Sequence, residues 1–133
     1  MKIYLAARYA RRKELKEYAK QLMALGHGII SSWLDERKAT NVDYTTITPR
    51  FWREHANRDI EDLTQADAIV SFTEPKGSYQ RGGGRHVEFG YGLAAGKALY
   101  LIGPREVIFH HLSGIMQFDT FEEFLTEIND GRD

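Results

Sequence analysis

The chain has 133 residues, the length of one domain near the commonest size, and its 42% hydrophobic and 28% charged content is that of a globular domain. Eighteen Lys and Arg against nineteen Asp and Glu leave a formal net charge of -1, which argues against a nucleic-acid-binding domain with its strong basic excess. The absence of cysteine removes disulfides, cysteine-ligated zinc, iron–sulfur clusters and thiol nucleophiles in one step.

Ile3 to Ala7 is a short apolar run and predicts a buried strand. It meets Arg8, Arg11 and Arg12, so it is too short for a signal peptide. No window approaches the ~18 consecutive apolar residues of a membrane span, and the expected compartment is the cytoplasm. From Arg11 to Leu25 the pattern is helical, with Leu15, Tyr18, Ala19, Leu22 and Leu25 on one face and Gly26 as the stop. Ile29 and Ile30, flanked by Ser31 and Trp33, predict a second strand. Asp35 to Thr48 is polar and aperiodic, a loop long enough to point to function.

Pro49 opens a second helix that runs to Ala66, and Ala68 to Phe72 is the clearest strand in the chain. A glycine-rich loop, Glu74 to Gly84, leads into a third helix from Arg85 to Ala95. The next strand is Ala98 to Ile102. After Gly103-Pro104 come a short strand at Met116 to Phe118 and an amphipathic helix from Phe121 to Ile128, capped by Thr120 with Glu123 three residues on. The five histidines show no metal spacing: His110 and His111 are adjacent, and no pair stands at i, i+4 on a helix, so neither metal nor cofactor is expected.

Strands alternating with helices at this spacing predict a single three-layer, Rossmann-like α/β domain over residues 1–133, its parallel sheet of about five strands covered by helices on both faces. Ligands of such sheets bind beyond the carboxyl ends of the strands, which selects Ala6 to Tyr9, Thr73 to Gly84 and Gly103 to Arg105.

Arg81-Gly82-Gly83-Gly84-Arg85-His86-Val87-Glu88-Phe89-Gly90 is the most informative stretch. A glycine run entering a helix invites a phosphate-loop reading, because backbone amides at a helix N-terminus bind anions. Neither named motif is present. Val87 stands where G-x-G-x-x-G needs its third glycine, and Gly96-Lys97 has no glycine five residues earlier and is followed by Ala98. What remains is Glu88, a carboxylate near the start of a helix behind a bare loop. The helix dipole favours its ionised form, which suits a nucleophile or metal ligand, and equally a plain helix-starting residue. On the second helix Trp52, Ala56, Ile60 and Leu63 form an apolar stripe expected to face the core. Asp59 falls at the edge of that stripe, where a carboxylate needs either a structural partner such as His55 or a functional role.

Lys2-Ile3-Tyr4-Leu5-Ala6 forms a tyrosine-bearing opening strand, and His55 to Phe72 a helix–strand unit with Asp59 followed by Ala66-Asp67-Ala68-Ile69-Val70. Val87-Glu88-Phe89-Gly90-Tyr91-Gly92-Leu93-Ala94 follows a hydrophobic-Glu-x-Gly-x-Ala pattern, and Gly96 to Leu101 supplies the next strand. In this order the four segments resemble the nucleoside 2-deoxyribosyltransferase superfamily, which includes the deoxynucleoside 5′-monophosphate N-glycosidases. The resemblance implies a flavodoxin-like sheet and cleavage of an N-glycosidic bond with retention. Glu88 would be the nucleophile, Tyr4 would orient it, and Asp59 would hold the sugar or nucleobase. Asp67 would be structural.

One position departs from the family: the aspartate six residues before the nucleophile is Gly82 here. The proton for the departing base then falls to Asp59, to His86, to a residue of another subunit or to water. Arg81, Arg85 and His86 around Gly82 and Gly84, with Ala6 and Arg8 at the first strand end, form either a 5′-phosphate site or a solvated loop. The resemblance favours transfer of a deoxyribosyl group to an acceptor base. Hydrolysis is the alternative, and a non-catalytic nucleotide-binding module the alternative of another class. The expected partner is a small nucleoside or nucleotide, not a nucleic-acid polymer or a membrane. The family habit of homo-oligomers implies a homodimer or larger, with His110, His111 and Gln117 as candidates for completing a neighbour's pocket. Tyr44 to Trp52 offers aromatics for stacking on a base, or for a core or interface.

Overall fold

The computed structural model describes residues 1–35, 48–78 and 83–130. The strands are β1 (Lys2–Ala6), β2 (Gly28–Ile29), β3 (Ala68–Phe72), β4 (Ala98–Ile102) and β5 (Met116–Phe118). All pair in parallel, in the order β2-β1-β3-β4-β5. This is the flavodoxin-like, doubly wound order, with its switch point between β1 and β3. The helices are α1 (Arg12–Ala24), α2 (Pro49–Gln65), α3 (Gly84–Ala94) and α4 (Phe121–Asp130).

β3 is buried at every position, as a strand covered on both faces should be. α1 and α4 cover one face, where Tyr18 stacks on Phe72 and Phe121. α2 and α3 cover the other. There α3 rides so close to the sheet that a Cβ at Gly92 would stand 2.6 Å from Ile69 Cγ1 and 3.0 Å from Leu99 Cδ2. Strand alternation therefore puts Tyr4 and Ala6, paired with Ile69 and Ser71, on the α2/α3 face.

The three later strands lie where the sequence predicts them, whereas the second is shorter. Beyond Gly28–Ile29 the chain turns into a 3-10 helix, Ser32–Asp35, instead of continuing along β1. Two side chains take over the ladder: Ser31 Oγ accepts the Leu5 N–H at 3.1 Å, and Trp33 Nε1 donates to the Leu5 carbonyl at 2.8 Å. The predicted loop at 35–48 falls, for residues 36–47, outside the described residues, as does Tyr44 of the aromatic stretch.

α2 starts at Pro49 as expected, and Thr48 Oγ1, from the end of the predicted loop, accepts the Phe51 N–H. Of its predicted apolar stripe only Leu63 is buried, and the other three members face outward. Trp52 and Ile60 are each 42% exposed and Ala56 is exposed as well. The inward row is Phe51, His55, Arg58, Asp59, Asp62, Leu63 and Ala66, an i, i+3/i+4 series one residue away from the predicted one. Polar side chains hold that row because they find partners in it. Asp62 Oδ2 accepts the Ser32 N–H at 2.9 Å, and His55 Nδ1 lies 2.9 Å from Arg58 Nη2. At the far end Lys97 Nζ donates to the Thr64 and Ala66 carbonyls, and Asp67 exchanges hydrogen bonds with the Lys2 backbone. In α4, Thr120 Oγ1 caps the Glu123 N–H, as the sequence suggests. Among the described residues no helix is long and apolar enough to cross a membrane.

Candidate functional site

Three elements meet on the α2/α3 face of the sheet. Tyr4 rises from β1 with no exposed surface, Asp59 and Asp62 face it from α2, and Glu88 reaches it from α3. The Tyr4 hydroxyl, Glu88 Oε2 and Asp59 Oδ1 are all sealed from solvent. Burial pushes the Tyr4 pKa far above the phenol range. The charge and hydrogen bonding of Glu88 add to the shift, and then the charges of Asp59 and Asp62. Such a phenol stays protonated and acts as a donor toward carboxylate. The arrangement places a buried phenol hydroxyl beside the Glu88 carboxylate, with the Asp59 and Asp62 side chains on the same side.

Gly84 lies one turn before Glu88, and a Cβ built there would be 3.8 Å from Glu88 Oε1. As the first residue of α3, Gly84 places no side chain of its own over that oxygen. Ala6 is fully buried on the same sheet face as Tyr4, two residues nearer the carboxyl end. Ser71, paired with Ala6, is also buried there, and its hydroxyl has no hydrogen-bond partner among the described residues.

The cationic residues are arranged differently from the phosphate cradle the sequence suggests. Arg8 Nη1 binds Glu74 Oε1 at 2.9 Å, and Arg11 Nη1 binds the other oxygen of the same carboxylate at 2.9 Å. Arg85 is only 5% exposed and lays its guanidinium on both oxygens of Glu106. All three arginines are held by acids that the topology brings to them. Arg81 and Gly82 lie outside the described residues.

His86 is two residues before Glu88, about 200° around the helix, and so points away from Tyr4. Its Nε2 stands 3.6 Å from Glu106 Oε2. Burial, then the Arg85 charge, pushes its pKa down. This placement sets it apart from the carboxylate cluster as a proton donor. His110 is 1% exposed, packed edge-on to Phe89, with burial first and His86 second pushing its pKa down to about 4. It is enclosed in its own protomer, which removes it from the residues offered to a neighbour. Gln117 Nε2 donates to the Gly103 carbonyl at 2.7 Å.

Asp62, Ser71, Glu74 and Glu106 belong to this end of the molecule without having stood out in the sequence. Glu74 carried one usable signal, a charged residue two positions after the end of the strongest strand. Glu106 carried none.

No family model matches the chain, and no curated protein matches its sequence. Solved structures do match in shape. The 2-deoxyribosyltransferase of the psychrotolerant bacterium Bacillus psychrosaccharolyticus superposes with a TM-score of 0.68 at 20% identity, over 93% of this chain and 90% of that one. The CMP N-glycosidase BcmB of Clostridium botulinum gives 0.60 at 16% identity, over 97% and 98%. A conserved protein of Enterococcus faecalis V583 gives 0.65 at 15% identity, over 100% and 99%. At these identities the likeness establishes a shared fold over essentially the whole length of each chain.

Proposed function

We propose that this chain is an enzyme of the nucleoside 2-deoxyribosyltransferase type, cleaving the N-glycosidic bond of a 2′-deoxyribonucleoside or its 5′-monophosphate. The observation that carries the reading is the convergence of Tyr4, Asp59 and Glu88, from three separate elements, on one sealed cluster. Two neighbours in fold are a 2-deoxyribosyltransferase and an N-glycosidase of CMP, a ribonucleotide, and both names support chemistry at a base–sugar bond.

In this reading the Glu88 carboxylate attacks the anomeric carbon as the carbon–nitrogen bond breaks, and the bonding pair leaves with the base. The sugar passes through an oxocarbenium-like state, whose positive charge the Glu88, Asp59 and Asp62 carboxylates stabilise. Tyr4 holds Glu88 in its attacking orientation, and Asp59 binds the sugar or base. With His86 turned toward Glu106 and Asp59 engaged as a carboxylate, water delivers the proton to the departing base and takes up the one released by the attacking base. A second base then attacks the glycosyl-enzyme and restores Glu88, giving transfer. Water in its place gives hydrolysis. The ion pairs of Arg8 and Arg85 favour a nucleoside over its 5′-monophosphate.

The outward stripe of α2, Trp52, Ala56 and Ile60, fits a cytoplasmic homodimer or larger assembly in which a second copy covers it. So does the exposed surface formed by Val87, Leu93, Ile108 and Phe109. The test is incubation with each deoxynucleoside and deoxynucleotide, with and without a free acceptor base, resolved by chromatography. New nucleoside means transfer, and free base without acceptor means hydrolysis. Unchanged substrate throughout overturns the proposal, as does full turnover by a Glu88→Gln variant.

A further inference from the structure

We propose that Glu106 is a positioning residue for the nucleophile: its single carboxylate staples the two chain segments that flank the glycine-rich connection and so fixes the first turn of α3. The inference rests on the glycosidic-bond reading for its effect on turnover, and on geometry for the staple itself.

Glu106 lies in the β4–β5 connection and touches both sides of a different loop. Its Oε1 accepts the Glu74 N–H at 3.0 Å, at the exit of β3. Its Oε1 and Oε2 receive the Arg85 Nη1 and Nη2 at 2.5 and 2.7 Å, at the entry to α3. Glu106 is itself held, because its N–H donates to His110 Nδ1 at 3.0 Å. The Glu74 side chain extends the chain of contacts to Arg8 and Arg11, so the carboxyl ends of β1, β3 and β4 are tied together.

Stability alone does not account for this pair. An arginine in the first turn of a helix opposes the helix dipole. The two side chains are 3% and 6% exposed, and a buried ion pair is often no more stabilising than apolar residues of the same volume. What the pair supplies is direction, because a planar guanidinium held on two oxygens fixes rotation as well as distance. Glu88 stands three residues after Arg85. A turn of α3 by about 10° moves a side-chain tip about 6 Å from the helix axis by about 1 Å. Misplacement on that scale costs about a hundredfold in rate.

The test compares wild type with Arg85→Met/Glu106→Gln, which removes both charges and keeps an oxygen for the Glu74 N–H. The expected result is a folded protein whose kcat falls about a hundredfold while KM stays within about threefold. Wild-type kcat in the folded double variant overturns the proposal. If that variant is too unstable to assay, Arg85→Lys decides, since it keeps the charge and loses the fork. It should lose about tenfold in kcat, and a wild-type rate overturns the proposal. If the wild-type protein itself turns over no nucleoside or nucleotide, the functional reading fails and the staple is judged by amide hydrogen exchange. Exchange at Gly84 to Glu88 should then be about tenfold faster in Arg85→Lys, and unchanged exchange overturns it.

Discussion

Replacing Gly92 by alanine tests whether the closeness of α3 to the sheet is what delivers Glu88 to Tyr4. Glu88 and Gly92 are four residues apart and share one helix face. The added methyl would stand 2.6 Å from Ile69 Cγ1 and 3.0 Å from Leu99 Cδ2, against the ~3.5–4.0 Å of relaxed carbon contacts. Leu99 Cδ2 is the end of a side chain and can turn aside. Ile69 Cγ1 is one bond from the Cβ of a fully buried strand residue, so α3 has to lift by about 1 Å. Overpacking of this kind costs about 1–3 kcal/mol, and replacing glycine by alanine inside a helix returns about 1 kcal/mol. The net loss is then about 0–2 kcal/mol, a fall in Tm of at most several degrees. Turnover should suffer more, by about a hundredfold, because the same lift draws the Glu88 carboxylate from its attacking position. Thermal unfolding and product chromatography on one preparation separate the two effects. Gly90→Ala is the control for stability: nothing lies within 4 Å of its Cβ, and it should gain about 0.5–1 kcal/mol. A Gly92→Ala protein more stable than wild type, with wild-type turnover, refutes the reasoning.

Tyr4→Phe keeps the buried ring and removes only the hydroxyl on the Glu88 side, which in the proposed mechanism donates to the nucleophile. Steady-state kinetics should show kcat lowered about 10- to 100-fold, the equivalent of one hydrogen bond to a charged group, and an unchanged kcat removes the orienting role. Stability should also depend on pH through His110. Its folded pKa of about 4 lies below the unfolded value of about 6.5, so the unfolded chain binds the proton first as the solution is acidified. The contribution of the neutral imidazole is complete above pH 6.5 and is lost as pH falls from there toward 4, by up to about 3 kcal/mol. His86, pushed in the same direction, adds to the slope with the same sign. His110→Gln should flatten the curve of Tm against pH over that window, and an unaltered slope contradicts the assignment.

Elements whose environment is uniform were legible in the sequence. β3 and β4 are apolar runs, interrupted only by Ser71, because helices cover them on both sides, and α2 and α4 carry Pro49 and Thr120 as local start signals. The residues at the centre of the candidate site, Tyr4, Asp59 and Glu88, were also legible, as chemical groups with motif context. What could not be read was pairing across the topology. Hydrophobicity placed Trp52, Ala56 and Ile60 toward the core. The choice of face was made by polar contacts such as Asp62 with the Ser32 amide, thirty residues away in sequence. The arginines looked like a phosphate cradle for the same reason: Glu74 and Glu106 reach Arg8 and Arg85 only once the strands are ordered. The second strand failed on a local detail, since side chains of Ser31 and Trp33 imitate a backbone ladder.

That imitation has a consequence for how copies of the chain meet. An open edge of a sheet is a template on which another chain can lay a strand, and edge-to-edge growth leads to fibres. Here the β2 edge exposes a ladder only two residues long, and the next hydrogen-bonding groups of β1 are already taken by a hydroxyl and an indole. Among the described residues nothing long enough to seed strand addition is left on that side. Among the described residues this edge offers little to a second copy, which leaves the three-residue β5 edge and the helix surfaces as routes of association.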